Sequence, residues 1–141
     1  MYRLFILCFV LLSATARGDT AVSIEVSNVS ESDTQIIVTV FSGKKNWLKK
    51  PLMTEVLDLA SENTNGSATF ELSLAPGEYA FQVFHDLDSN GKMKTNFIGI
   101  PKEPVGVSND AKGKFGPPKY KDAKLMIGDD ALVIPIKLTK I

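Results

Sequence analysis

Between Phe84 and Phe97 the chain reads FHDLDSNGKMKTNF, and its first polar residues are spaced as in an oxygen-ligand calcium loop. Such loops take side-chain oxygens from positions one, three and five, and a glycine at six permits the sharp turn. Asp86, Asp88, Asn90 and Gly91 fill those places, and Lys92 could offer its backbone carbonyl at seven. Position nine is Lys94 and position twelve is Phe97, where a helix-loop-helix site has a bidentate glutamate. The candidate metal is calcium. Its candidate ligands are Asp86, Asp88, Asn90 and Lys92, with Glu103 as the missing carboxylate if the segment from Asn96 to Pro104 folds back. The competing reading is a polar turn in which Asp and Asn side chains bond their own backbone. Lys92 and Lys94 favour it, because they match Asp86 and Asp88 in charge within one loop.

His85 is the single histidine and the mature chain has no cysteine, so a structural zinc site is excluded. Beside Asp86 it looks like half of a hydrolase site, with Glu103 as a third member. Neighbours on a strand point to opposite faces, however, so the pair should not meet. His85 continues the face of Tyr79, Phe81 and Val83, which predicts a strand-end histidine bonded to the long loop.

The elements that must position these groups alternate with period two. Val22, Ile24 and Val26 share a face, as do Ile36, Val38 and Val40. The same holds for Ala68, Phe70, Leu72 and Leu74, and for Leu132, Ile134, Ile136 and Leu138. With the Tyr79 run these make five antiparallel strands, bounded by turn signals at Glu31-Ser32-Asp33, Asn65-Gly66 and Pro76-Gly77. A sixth is expected over Glu55–Ala60, and a short helical turn over Lys44–Lys50, ended by Pro51. Pro135 places its N–H side at a sheet edge. The expected fold is an all-β, antiparallel β-sandwich of about seven strands, immunoglobulin-like or transthyretin-like.

From Asn96 to Lys124 the pattern lapses into Gly, Pro, Asn and Lys, a long structured loop that is functional or tied down. Running from Asp86 to Lys124 and covering one end of the sandwich, it would form the working surface. Gly91, Asn96, Asn109, Pro117 and Pro118 are its expected structural residues beside His85, and Phe115 and Tyr120 should cover a sheet end. Asn28-Val29-Ser30 and Asn65-Gly66-Ser67 match the glycosylation triplet, a common tripeptide without meaning in a bacterial source.

The first residues, MYRLFILCFVLLSATA, have the basic tip, apolar run and small-residue site of a secretory signal peptide cut after Ala16. The run is too short to span a bilayer, so residues 17–141 are expected as one exported domain, periplasmic or extracellular, without stable membrane insertion. The chain has 141 residues, with 16 basic and 16 acidic; losing Arg3 leaves 15 against 16. Near-neutrality without a basic block argues against nucleic acid or an anionic membrane as partner. An unknown envelope or extracellular partner is left.

The stretch from Val83 to Ile127 resembles the signature of an exported bacterial family, domain of unknown function 2141. The resemblance rests on His85-Asp86, Asp88 to Gly91, Asn96 to Glu103, Gly106 to Asn109, Gly116 to Pro118 and Asp122-Ala123. It implies a small exported β domain and carries no activity, cofactor or partner. The family pattern has an acidic residue where this chain has Lys94, so a ligand that relatives would use is missing here. LAPGEYAFQVFHD is also similar to the turn and strand of transthyretin-like and carboxypeptidase-regulatory-like modules, which bears on fold alone. The leading expectation is a non-enzymatic binding or envelope-associated module. The alternatives are a hydrolase using His85, Asp86 and Glu103, and a transthyretin-like carrier or assembly module.

Overall fold

The computed structural model describes residues 17–30, 34–61 and 65–141. The signal-peptide reading and the Glu31-Ser32-Asp33 turn lie outside the described residues. Among the described residues, eight strands form two open sheets: β1 (Thr20–Ser27), β2 (Gln35–Phe41), β3 (Met53–Asp58), β4 (Ser67–Leu74), β5 (Gly77–Asp86), β6 (Val105–Val107), β7 (Leu125–Ile127) and β8 (Leu132–Lys137). One sheet has the order β4-β1-β8 and the other β3-β2-β5-β6, with β7 also on β5. This is an all-β sandwich. None of its described helices is long and apolar enough to cross a membrane.

The alternation explains the layering. Val22, Ile24 and Val26 of β1, Ile36, Val38 and Val40 of β2, and Phe81 and Val83 of β5 meet in one apolar cluster between the sheets. β2 and β5 bury their second face as well, which is why QIIVTVF is apolar on both sides. On that outer face Phe41 and Ala80 pack with Trp47, Val107, Tyr120 and Ala123 in a second cluster.

Two pairings depart from the expected plan. β8 lies parallel to β1, not antiparallel, because it arrives at the first sheet after the chain has paired β7 with β5 in the second. The residues of β6 and β7 are too few to show a period, and both line the same edge of β5: β6 beside Gln82–Phe84, β7 beside Gly77–Tyr79. The third strand covers Met53–Asp58 rather than Glu55–Ala60, since the Asp58 carboxylate accepts the Ala60 N–H and turns Leu59–Ser61 into a 3-10 turn. β8 is an edge strand. Leu138 N–H donates to Ser27 O, so by alternation the Pro135 position faces outward, where no donor is needed.

The long loop does not cover one end. Gln35 is opposite Asp86 at one end of the β2–β5 pair and Phe41 is opposite Ala80 at the other. The chain leaves β5 at the Asp86 end, returns along its edge as β6, and then packs on the outer face towards Phe41. There Trp47 meets Phe41 edge-on at 5.1 Å, its Nε1 donates to Pro118 O at 2.8 Å, and Gly43 N donates to the Tyr120 hydroxyl at 3.0 Å. Tyr120 is buried as expected, but Phe115 is 103% exposed and covers nothing.

A corner joins the sheets. Val105 and Thr139 exchange both backbone hydrogen bonds, at 3.0 and 2.9 Å, and Pro104 O accepts the His85 N–H at 2.9 Å. Asn109, at φ +60°, donates from Nδ2 to Asp122 O and Lys124 O at 3.2 and 2.8 Å, tying β6 to the start of β7.

Candidate metal centre at the end of β5

Asp86 is the last residue of β5 and Gln35 the first of β2, and their register makes them a cross-strand pair on the outer face. Gln35 Nε2 therefore reaches Asp86 Oδ2, at 2.6 Å. The loop then curls around the same carboxylate. Gly91 N donates to Oδ2 at 2.7 Å, and Asn90 N donates to Oδ1 and to Asp88 Oδ1, both at 3.3 Å. Gly91 is at φ +76°, a backbone conformation that suits glycine. Asn90 Oδ1 accepts the Lys92 N–H at 2.8 Å.

Glu103 folds back onto this turn. Its Oε1 accepts Leu87 N–H and its Oε2 accepts Lys94 N–H, each at 2.9 Å, stapling both ends of the loop. Asp86, Asp88 and Glu103 bring carboxylate oxygens to within 4.8 Å of one another, and Asp86 and Glu103 are buried. Lys92 and Lys94 are exposed. The ion pairs among the described residues, Arg17–Asp129, Lys112–Asp110 and Lys124–Glu78, involve none of the three acids. Burial alone would push the Asp86 carboxyl up. Hydrogen bonds from Gln35, Gly91 and Asn90 outweigh it and hold the group below its ordinary value.

The donor set suits a hard cation. Carboxylate oxygens are the ligands of calcium and magnesium; Asp86 Oδ2 already accepts two N–H groups, but Asp86 Oδ1 and both Glu103 oxygens accept one each and keep a second lone pair. Asp86, Asp88 and Glu103 are the residues that would hold such an ion.

His85 faces the other way, into the sandwich, and is fully buried. Its Nδ1 lies 3.3 Å from Ser30 Oγ and its Nε2 2.9 Å from Thr34 Oγ1. Its side chain is thus bonded to the β1–β2 connection. Its backbone N–H, in contrast, donates to Pro104 O in the long loop. Both hydroxyls were missed in the sequence, where Ser30 and Thr34 stand far from His85 in a turn-rich stretch. Gln35 was missed too, although its place at the start of β2, across from Asp86, could have flagged it.

Burial lowers the His85 pKa from about 6.5, opposed by the charges of Glu103 and Asp86. The unfolded chain therefore binds a proton that the folded chain refuses. Stability should fall as pH drops below about 6.5 and level off at the folded value. Melting temperatures between ~pH 7 and 5 should show this slope, and His85→Gln should flatten it. An unchanged profile would remove His85 as its source.

A search of curated proteins and a search of solved structures return no match to this chain. The family model described as an uncharacterized protein conserved in bacteria, DUF2141, matches residues 24–134. That span holds all of β2 to β7, the three carboxylates and the buried histidine, and the chain belongs to this family.

Proposed function

We propose that the protein is an exported, non-enzymatic binding module of the bacterial envelope or exterior, whose working surface is the loop from Asp86 to Glu103, ordered by calcium. One observation carries the reading: two buried carboxylates and a third close together, with no cationic side chain paired to them among the described residues. Gathering like charges costs free energy that N–H donors offset one carboxylate at a time, and a cation would offset it for all three at once. The depressed Asp86 pKa speaks against a proton at that residue. Carbonyl and carboxylate chemistry at an extracellular module points to calcium at a dissociation constant of ~0.1–1 mM. The hydrolase reading loses support, because His85 is buried with both ring nitrogens engaged and offers a substrate no approach.

Thermal unfolding in calcium and in chelator tests this. At about 100 times the dissociation constant, bound metal should add about 2.7 kcal/mol, and Glu103→Gln should remove most of the gain. A midpoint unmoved by calcium at ~10 mM, 100 times the tighter of those constants, would sink the metal reading and leave a hydrogen-bonded turn.

A further inference from the structure

Between Lys92 and Lys102 the sequence KMKTNFIGIPK holds three lysines and no acid. Its backbone doubles back as a narrow finger. Lys102 N donates to Lys94 O at 2.7 Å, Thr95 bridges Pro101, and Asn96 N donates to Ile100 O at 2.9 Å. The tip is fixed by one side chain: Asn96 Oδ1 accepts the Ile98 and Ile100 N–H groups at 3.0 and 2.9 Å. Gly99, at φ +85°, donates to Asn96 O at 3.0 Å and closes the turn. None of this order comes from burying the apolar residues. Phe97 is 99% exposed and Ile98 66%, with Ile100 exposed beside them. A contiguous apolar tip on a stiff loop marks an interaction site, where scattered exposed hydrophobes do not.

We infer that the finger docks on an anionic lipid surface, with Phe97 and Ile98 entering the headgroup–acyl boundary and Lys94 and Lys102 against the phosphates. Shape and charge both favour lipid. The tip protrudes, and a fluid interface receives a protruding side chain without a matching cavity. The backbone pairing of Lys94 with Lys102 sets two cations across the base of the finger, behind the apolar tip. That order, apolar end first and cations behind, is the one an interfacial anchor needs. Whole-chain neutrality conceals it, because Asp86, Asp88 and Glu103 are gathered at the root of the finger. The inference rests on the loop being the working surface. A cation held at its root would further offset the negative charge there.

The test uses the full chain and a readout confined to position 97, since the first sixteen residues include an apolar run of their own. Phe97→Trp in a Trp47→Phe background should shift its emission to the blue with phosphatidylglycerol-containing vesicles. Brominated acyl chains should quench it, and pure phosphatidylcholine should do much less. Adding Ile98→Ser and Ile100→Ser to that reporter chain should lower its vesicle partitioning about tenfold or more at unchanged melting temperature. Lys94→Gln with Lys102→Gln should do the same, and added salt should mimic it. An indole that stays in water overturns the inference, as does equal partitioning of the serine variant. Self-association abolished by the serine changes, without any vesicle signal, would also overturn it and assign the finger to a second copy of the chain. Calcium-dependent melting without vesicles reads the metal separately, so either idea can fail alone.

Discussion

Replacing Asp86 with alanine should lower the melting temperature by about 10–20 °C in chelator, with calcium playing no part. The carboxylate is buried and is the shared acceptor for Gln35 Nε2, Gly91 N and Asn90 N, at 2.6, 2.7 and 3.3 Å. Hydrogen bonds to a charged group contribute about 1.5–3 kcal/mol each. The third is long and shared with Asp88, so the first two set the sum at about 3–6 kcal/mol. Asp86→Asn should recover under half, since a carboxamide turns one acceptor into a donor facing donors. Asp88→Ala, at an exposed residue accepting one long bond, should cost about 1 kcal/mol or less.

The sign with pH follows from the lowered Asp86 pKa. Its stabilisation is complete above the unfolded value of about 3.8 and is lost as pH falls through the lower folded value. The acid limb of the wild-type profile should therefore shrink in Asp86→Ala. A variant that melts within ~2 °C of wild type would show that the loop does not depend on this acceptor.

What the sequence disclosed was governed by local rules. Alternation exposed β1, β2, β4, β5 and β8 because one side of each faces a core, and period-two burial needs no knowledge of the partner strand. The opposite directions of His85 and Asp86 followed from the same rule, and the structure sends one to Ser30 and Thr34 and the other to Gln35. What stayed hidden depended on distant partners. Three residues of β6 cannot show a period, and the parallel β1–β8 pair is set by the path between sheets. Phe115 and Tyr120 looked alike in GKFGPPKYK. Only the Gly43 N–H and the Trp47 ring, supplied by a turn some seventy residues upstream, decide that Tyr120 is buried while Phe115 is not. Glu103 was legible as a candidate, yet its return onto Leu87 and Lys94 depends on how the finger closes between them.

That closure is anchored at the corner between sheets, where Gly106→Ala should be among the most damaging single substitutions. A methyl group there would lie 2.6 Å from Ile136 Cγ2 and 2.6 Å from the Lys137 carbonyl oxygen. The first contact could yield by side-chain rotation, but the second is backbone, so β6 must move away from β8. Overpacking of this kind costs about 1–3 kcal/mol and more where backbone is pushed. The expected loss is about 3 kcal/mol, roughly 10 °C or more in melting temperature. Gly128→Ala, with nothing within 4 Å of the added carbon, is the matched control and should stay within ~0.5 kcal/mol. Adding Ile136→Leu should relieve Gly106→Ala only in part, because the Lys137 oxygen remains. The consequence reaches the carboxylates. Glu103 precedes by two residues the Val105–Thr139 pair that fixes the corner, and Pro104 holds the His85 N–H between them. A displaced β6 should draw Glu103 from Asp86 and weaken any stabilisation by calcium along with the fold. Full calcium response in a Gly106→Ala protein that still folds would mean the finger and Asp86 position Glu103 without the corner.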